Sequence, residues 1–460
     1  MKLEFINREN HGRLILIFTG WSTDPSFYSH IRLSGWDTLV AWDYSDFNFP
    51  EKILDGYHTI ALFAWSLGVY AASRSLHFEK IALAIAINGT EHPVEDNNGI
   101  PTAIYQGTVS SLNERNLIKF RKRMADLQYA EIADKFSNSD IEDLRKELQS
   151  IARDYSANRN EEKQTKWHRV FISSNDRIFP PEAQLRAWEN HSSKPVIVRL
   201  DTPHYIDIFT VVKSLLPNKE KVGARFEKSH LTYNSEASAQ SHIAHELMRA
   251  TADFVGEKKL AHAAEIGAGT GFFTKLFCQY FAPEEMDIID LYPLPRFKCS
   301  SIENYYVADA EEWMEDKAKE QSGIYDAIVA SSAMQWFSNP ERFIRNAAKL
   351  LKPDGFIALS TFLPGNLAEL EHINPYSLPY RKQEDLERMI KKRFHSTFFN
   401  NEKIKLNFNS GRELLRHISH TGVGGTGTTY FSLKELLLRL PQTLTYHPLY
   451  IIGVQPEQTV

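Results

Sequence analysis

The stretch Ala264-Glu265-Ile266-Gly267-Ala268-Gly269-Thr270-Gly271-Phe272-Phe273 limits what this chain can fold into more than any other. A strand-like run ends at Glu265, and Phe273, Leu276, Phe277 and Tyr280 follow at helical spacing. Glycines at 267, 269 and 271 let the backbone turn sharply and bring its amides against a ligand. A helix that begins there turns its positive end toward the same ligand. The G-x-G-x-G spacing differs from the G-x-G-x-x-G usual for dinucleotides. An acid two places before the first glycine suits a ligand that carries an amino group and a ribose.

Four more elements follow in order. Residues 286–290 read as a strand ending in an acid, and Asp290 lies about 20 residues past the glycines, where a carboxylate accepts both ribose hydroxyls. Residues 305–308 read as a short strand, after which Asp309 and Ala310 are placed to meet an adenine edge. Residues 325–331 form a fourth strand, and 350–360 a helix end, a turn and a fifth strand. Residues 226–233 and 240–255 read as helices leading into the glycine loop. Loop and order together resemble the class I (Rossmann-like) S-adenosylmethionine-dependent methyltransferases. The resemblance implies S-adenosylmethionine as cofactor, held by Glu265, Gly267, Gly269, Gly271, Asp290, Asp309 and Ala310, with Tyr233 closing over its methionine part. Met334-Gln335-Trp336, residues 360–370, and Leu414-Leu415-Arg416-His417 before Thr421-Gly422-Val423 narrow it further. They resemble the BioC-type malonyl-[acyl carrier protein] O-methyltransferases over roughly 222–455. The reaction so implied is attack of the malonyl carboxylate on the sulfonium methyl. That carboxylate is already ionised at pH 7, so no general base and no metal are expected. The glycines at 422, 424, 425 and 427 follow a helix and read as its stop and a loop.

A methyltransferase domain leaves half of the chain to explain. The 460 residues correspond to about two to four domains. Hydrophobic residues make up 42% and charged residues 24%, a globular composition. With a net charge of −5, neither nucleic acid nor membrane is an expected partner. No apolar run reaches the roughly 18 residues of a bilayer span. The start, Met1-Lys2-Leu3-Glu4-Phe5, lacks the apolar core of a secretory leader. Two cysteines, Cys278 and Cys299, allow one disulfide at most and no metal framework, and a cytoplasmic location follows.

The first half carries continuous apolar runs at 14–18, 38–43, 59–63, 81–87, 169–173 and 196–200, the signature of a parallel sheet buried on both faces. Residues 110–165 are charged and helical in pattern and interrupt it as an insertion. The third run enters Ala64-Trp65-Ser66-Leu67-Gly68 and then a helix. Strand, sharp turn with a serine, then helix is a nucleophile elbow, here A-x-S-x-G rather than G-x-S-x-G. A serine nucleophile needs a base and a group that orients it, in the chain order Ser, Asp or Glu, His. Asp176 and His204 each follow a later strand and fit that order, with Asp201 and Asp207 as rivals for the orienting role. The oxyanion donors are then the backbone amides of Trp21 and Leu67.

Gly20-Trp21, Trp42-Asp43-Tyr44, Ala64-Trp65-Ser66-Leu67-Gly68, Ile87-Asn88-Gly89-Thr90, Gly99-Ile100-Pro101 and Ile178-Phe179-Pro180 resemble the BioG-type pimeloyl-[acyl carrier protein] methyl ester esterases over roughly 1–215. In that family the elbow itself reads A-W-S-x-G. The whole is therefore expected to be α/β with two domains. Residues 1–217 form an α/β-hydrolase with a helical lid at about 110–165, and 218–460 the methyltransferase. The implied partner is acyl carrier protein in its malonyl and pimeloyl methyl ester forms. Arg115, Lys119, Arg121, Lys122 and Arg123 form a candidate patch for that acidic partner or a solvated helix face. Leu117, Phe120, Met124 and Leu127 line an acyl channel or form the helix's core side. The alternatives are an esterase and methyltransferase for free small carboxylates, or one domain serving only to bind.

Overall fold

The computed structural model describes residues 1–10, 12–136, 139–161, 164–216, 219, 238–293, 302–370, 378–421 and 440–456. They form two compact units, Met1–Val212 and Lys213–Val460. Among them no helix is long and apolar enough to cross a membrane. Tyr233, Cys299, the helix expected at 226–233 and the glycines at 422–427 lie outside the described residues.

The first unit is built on a seven-stranded sheet. Its strands are β1 (Lys2–Asn7), β2 (Arg13–Phe18), β3 (Asp37–Trp42), β4 (Thr59–Trp65), β5 (Leu83–Ile87), β6 (Arg169–Ser173) and β7 (Val196–Leu200). The order across the sheet is β1-β3-β2-β4-β5-β6-β7. All neighbours are parallel except β1, which pairs antiparallel with β3 at the edge. Strand β1 was not anticipated from sequence, because its alternation of polar and apolar residues is that of a half-covered edge. Residues 14–18, in the interior, have no exposed surface. Helix α1 (Leu67–Ser75) follows β4 directly.

Between β5 and β6 come α2 (Thr102–Ser110), α3 (Glu114–Ala125), α4 (Tyr129–Ile132) and α5 (Ile141–Asn158). The helical insertion thus begins at Thr102, eight residues before the expected start at 110. Residues beyond the sheet's carboxyl end hold α5. Trp21 Nε1 donates to the Leu144 carbonyl at 3.1 Å, and the Tyr44 amide donates to Glu147 at 3.1 Å. Burial pushes the Glu147 carboxyl up to about 8. Helix α6 (Pro181–Glu189) and α7 (Ile208–Leu215) complete the unit's helices; α7 itself runs past its last residue, Val212.

Helix α8 (Ser238–Val255) leads into the second sheet. Then come β8 (His262–Ile266), α9 (Phe272–Phe281), β9 (Glu285–Asp290), β10 (Ile302–Val307), α10 (Ala310–Glu320), β11 (Tyr325–Ala330), α11 (Pro340–Leu350) and β12 (Leu351–Phe362). After β12 the pattern changes to α12 (Gln383–Lys391), β13 (Phe394–Asn401), β14 (Ile404–Asn407), α13 (Gly411–Thr421), β15 (Thr443–Tyr446) and β16 (Pro448–Pro456). The sheet order is β10-β9-β8-β11-β12-β16-β13, parallel up to β12, with β16 antiparallel to both neighbours. Strand order reverses between β8 and β11, the point at which open α/β sheets bind ligands beyond their carboxyl ends. This is a mixed α/β, Rossmann-like unit. One side of its sheet packs residues such as Ile243, Leu247, Phe273 and Phe277; the other packs Met314, Phe343, Ile344 and Ala347.

Backbone passes close to backbone where the first sheet ends. A Cβ on Gly68 would lie 2.4 Å from the Phe18 carbonyl oxygen, and one on Gly89 would lie 2.2 Å from the Ser66 carbonyl oxygen. Neither acceptor can rotate away, so only glycine fits. Gly89→Ala should destabilise the first unit by about 1–3 kcal/mol through overpacking. Chemical denaturation followed by the first unit's tryptophans checks this, and an unchanged midpoint would contradict it.

Candidate active sites

Ser66 sits between β4 and α1 at φ 57° and ψ −126°, a left-handed conformation that non-glycine residues rarely adopt. This strained turn lifts the hydroxyl off the end of the sheet. His204 Nε2 lies 2.9 Å from Ser66 Oγ, and His204 Nδ1 lies 2.8 Å from Asp176 Oδ2. All three residues are buried. Asp176 is fixed from its other side: Oδ1 accepts from the amides of Ile178 and Phe179 at 2.8 and 2.9 Å, and Oδ2 from Gln184 Nε2 at 3.0 Å. The rivals turn elsewhere. Asp201 meets Asn175 at 2.7 Å, and Asp207 meets His30 at 3.3 Å.

Three positioning groups escaped sequence reading. Asn88 donates to the His204 carbonyl at 2.7 Å and to Ser173 Oγ at 2.8 Å, and Trp65 Nε1 donates to the same His204 carbonyl at 3.2 Å. Gln184 lies fully buried under Asp176. Asn88 and Trp65 stand in quoted motifs, but nothing in their spacing says that they hold a histidine 116 and 139 residues away. Trp21 follows β2, and Leu67 is the first residue of α1. An aromatic cluster adjoins His204: Trp65 lies against its ring, and Phe27 packs on Trp65, Tyr205 and Phe136.

Of the basic residues on α3, Arg115, Lys119, Lys122 and Arg123 are exposed. Arg121 is not part of that face. Its Nη2 donates to the Ser22 carbonyl at 3.2 Å and its guanidinium lies 4.7 Å from the Phe136 ring centre. Leu117 and Met124 are buried, as a core side requires, but Leu127 is 93% exposed and serves neither core nor channel.

In the second unit, one cavity is lined by Glu265, Gly267, Gly269, Asp290, Asp309 and Ala310. Gln240 and Ser241 of α8, Ser332, and the aromatic Phe272, Trp336 and Phe337 complete the walls relevant here. Gly271 caps the start of α9 at φ 74°. Gly267 has φ +69°, and a Cβ there would strike the Ala333 side chain at 2.7 Å; a Cβ on Gly269, at φ +55°, would meet nothing within 4 Å. Asp290 Oδ2 accepts from the Gly269 amide at 3.0 Å. Burial pushes the Glu265 carboxyl up to about 8 and that of Asp290 to about 6. Glu265 Oε2, Gln240 Oε1 and Ser332 Oγ are buried with no hydrogen-bond partner among the described residues. Such atoms are costly unless a ligand satisfies them.

Comparison with known proteins gives both units a family. Residues 1–214 match the model of pimeloyl-ACP methyl esterase BioG, and residues 239–422 match a methyltransferase domain. Over 465 aligned residues the chain is 33% identical to the malonyl-[acyl-carrier protein] O-methyltransferase of Bacteroides fragilis (strain 638R), covering 95% of this chain and 92% of that one. The corresponding protein of Porphyromonas gingivalis is 32% identical over 51% of this chain and 96% of its own length. The crystal structure of BioG from Haemophilus influenzae aligns at 32% identity with a TM-score of 0.42, over 45% of this chain and 94% of its own.

The second unit is accordingly an S-adenosylmethionine-dependent methyltransferase, joined in one chain to a BioG-type domain. The chain belongs to the malonyl-[acyl-carrier protein] O-methyltransferase family, as a fusion of the BioG and BioC types. The cavity suits the cofactor. Glu265 Oε2 and Gln240 Oε1 are buried acceptors that an ammonium would satisfy, Asp290 is a carboxylate that a ribose would meet, and the space where a Cβ on Gly269 would stand is open.

An ammonium bound beside Glu265 would favour its ionised form, so cofactor binding there near pH 7 should expel about one proton, and affinity should rise with pH until the carboxyl ionises unaided near 8. Titration calorimetry at pH 7 in phosphate and in Tris should give binding enthalpies that differ by the buffers' ionisation enthalpies. Glu265→Gln should remove the difference, and buffer-independent heats in the wild type would contradict this account.

Proposed function

We propose that the chain performs two opposed steps of biotin-precursor synthesis. The unit at 218–460 methylates the free carboxylate of malonyl-[acyl carrier protein]. The unit at 1–217, an α/β-hydrolase with α2–α5 as its lid, hydrolyses pimeloyl-[acyl carrier protein] methyl ester. The observation that carries the reading is the hydrogen-bonded line Ser66–His204–Asp176 in the same chain as a glycine-loop cavity with orphaned acceptors.

In the esterase, Ser66 Oγ attacks the ester carbonyl while His204 Nε2 takes its proton, and Asp176 stabilises the imidazolium. The amides of Leu67 and Trp21 receive the oxyanion. His204 then hands the proton to the departing methanol, and a water activated by the same nitrogen frees the acid. In the methyltransferase the cofactor supplies the methyl group. The acceptor carboxylate is anionic at pH 7, so the residues align it and exclude water, for which the aromatic walls Phe272, Trp336 and Phe337 are suited.

The two steps fit one purpose. Methylation hides a charge that apolar synthase channels reject, and later hydrolysis restores it. The exposed Arg115, Lys119, Lys122 and Arg123 on α3 suit an acidic carrier. Their absence from a solvent-only role is tested by the same reactions, run on carrier-bound and free acids. The expected residence is the cytoplasm.

Mass spectrometry of malonyl-carrier protein incubated with S-adenosylmethionine should show the gain of one methyl group. Pimeloyl methyl ester carrier should lose one methyl with the wild type and not with Ser66→Ala. Activity on free acids and esters alone, with both carriers unchanged, would replace this reading with the small-carboxylate one.

A further inference from the structure

Among residues 217–237 only Lys219 is described, and it lines the cofactor cavity. Its ammonium lies 2.8 and 2.9 Å from the two oxygens of Asp309 and 2.6 Å from Glu311 Oε2. Lys219 is 11% exposed and Glu311 1%. The network continues. Glu311 accepts from the amides of Ser338 and Asn339 at 2.8 and 2.6 Å, just past Trp336 and Phe337 of the cavity wall. Asp309 Oδ1 also accepts the Glu311 amide at 3.0 Å and so caps α10. One ammonium thus joins three walls of the cavity.

We propose that Lys219 is a positioning residue that sets the cofactor site's preference for a 6-aminopurine. This rests on the reading of Asp309 as the partner of the adenine edge. An adenine 6-amino group donates to a carboxylate, whereas a 6-oxo purine turns an acceptor toward it. The preference therefore requires Asp309 to be ionised and aimed. Two carboxylates that share one ammonium cannot both stay charged when it is removed from a half-buried site. Glu311 keeps two backbone amides on its oxygens and Asp309 only one, so Asp309 is the group that takes up the proton. A protonated Asp309 can donate to a 6-oxo group, and discrimination is lost.

The test compares dissociation constants of S-adenosylhomocysteine and its 6-oxo analogue S-inosylhomocysteine in the full chain. The wild type should favour the adenosyl form strongly. Lys219→Met should cut that ratio by about tenfold, mainly by improving the inosyl form relative to the adenosyl form, while Lys219→Arg should keep it. Lys219→Gln serves the same purpose if the methionine variant does not fold. Equal weakening of both ligands, or an unchanged ratio, would overturn the role of Lys219. Asp309→Asn separates the two levels of the argument. If it leaves the ratio intact, the placement of adenine at Asp309 fails and the inference with it. If it lowers the ratio while the Lys219 variants do not, only the inference fails.

Discussion

Both units depend on a close approach that only glycine permits at the carboxyl end of a parallel sheet. In the first, α1 can begin against β2 only because Gly68 has no Cβ to meet the Phe18 carbonyl, and the chain beyond β5 can pass Ser66 only because Gly89 has none. In the second, Gly267 slips under Ala333 in a left-handed turn. These crossings draw together side chains that lie far apart in sequence. The Ser66 turn is strained, and its neighbours hold it in place, as is usual where backbone strain serves a site. The same geometry aims the start of α9 at the cofactor cavity.

Two carboxylates near these crossings contrast in how their oxygens are satisfied. Asp176 is held by two amides, Gln184 and His204. Glu265 and Gln240 each have an oxygen that no described residue satisfies. The contrast separates a centre whose machinery is preassembled from a pocket that a cofactor completes.

The sequence made the strands of both parallel sheets legible, because strands buried on both faces read as unbroken apolar runs. It also revealed the elbow and the glycine loop, whose chemistry is local. Strands β1, β13, β14 and β15 were missed because edges and short hairpins carry weak alternation instead, whereas β16, a buried apolar run at 449–452, was simply passed over. Asn88, Gln184 and Lys219 were illegible for another reason: each acts through a contact that spans 90 or more residues or depends on a buried loop turn. Arg121 shows the converse error. Charge spacing along α3 placed it in the basic patch, but spacing cannot tell that its guanidinium caps the loop after β2 and stacks on Phe136.

Under the proposed function, one chain makes and cleaves methyl esters and must tell its substrates apart by the acyl chain, or the second reaction cancels the first. The most direct measurement is kcat/KM of the full chain on malonyl and pimeloyl methyl esters carried on the same acyl carrier protein. The account predicts a preference for the pimeloyl ester on the order of 100-fold or more, from several methylenes that each contribute to apolar binding. Comparable rates on the two esters would contradict it.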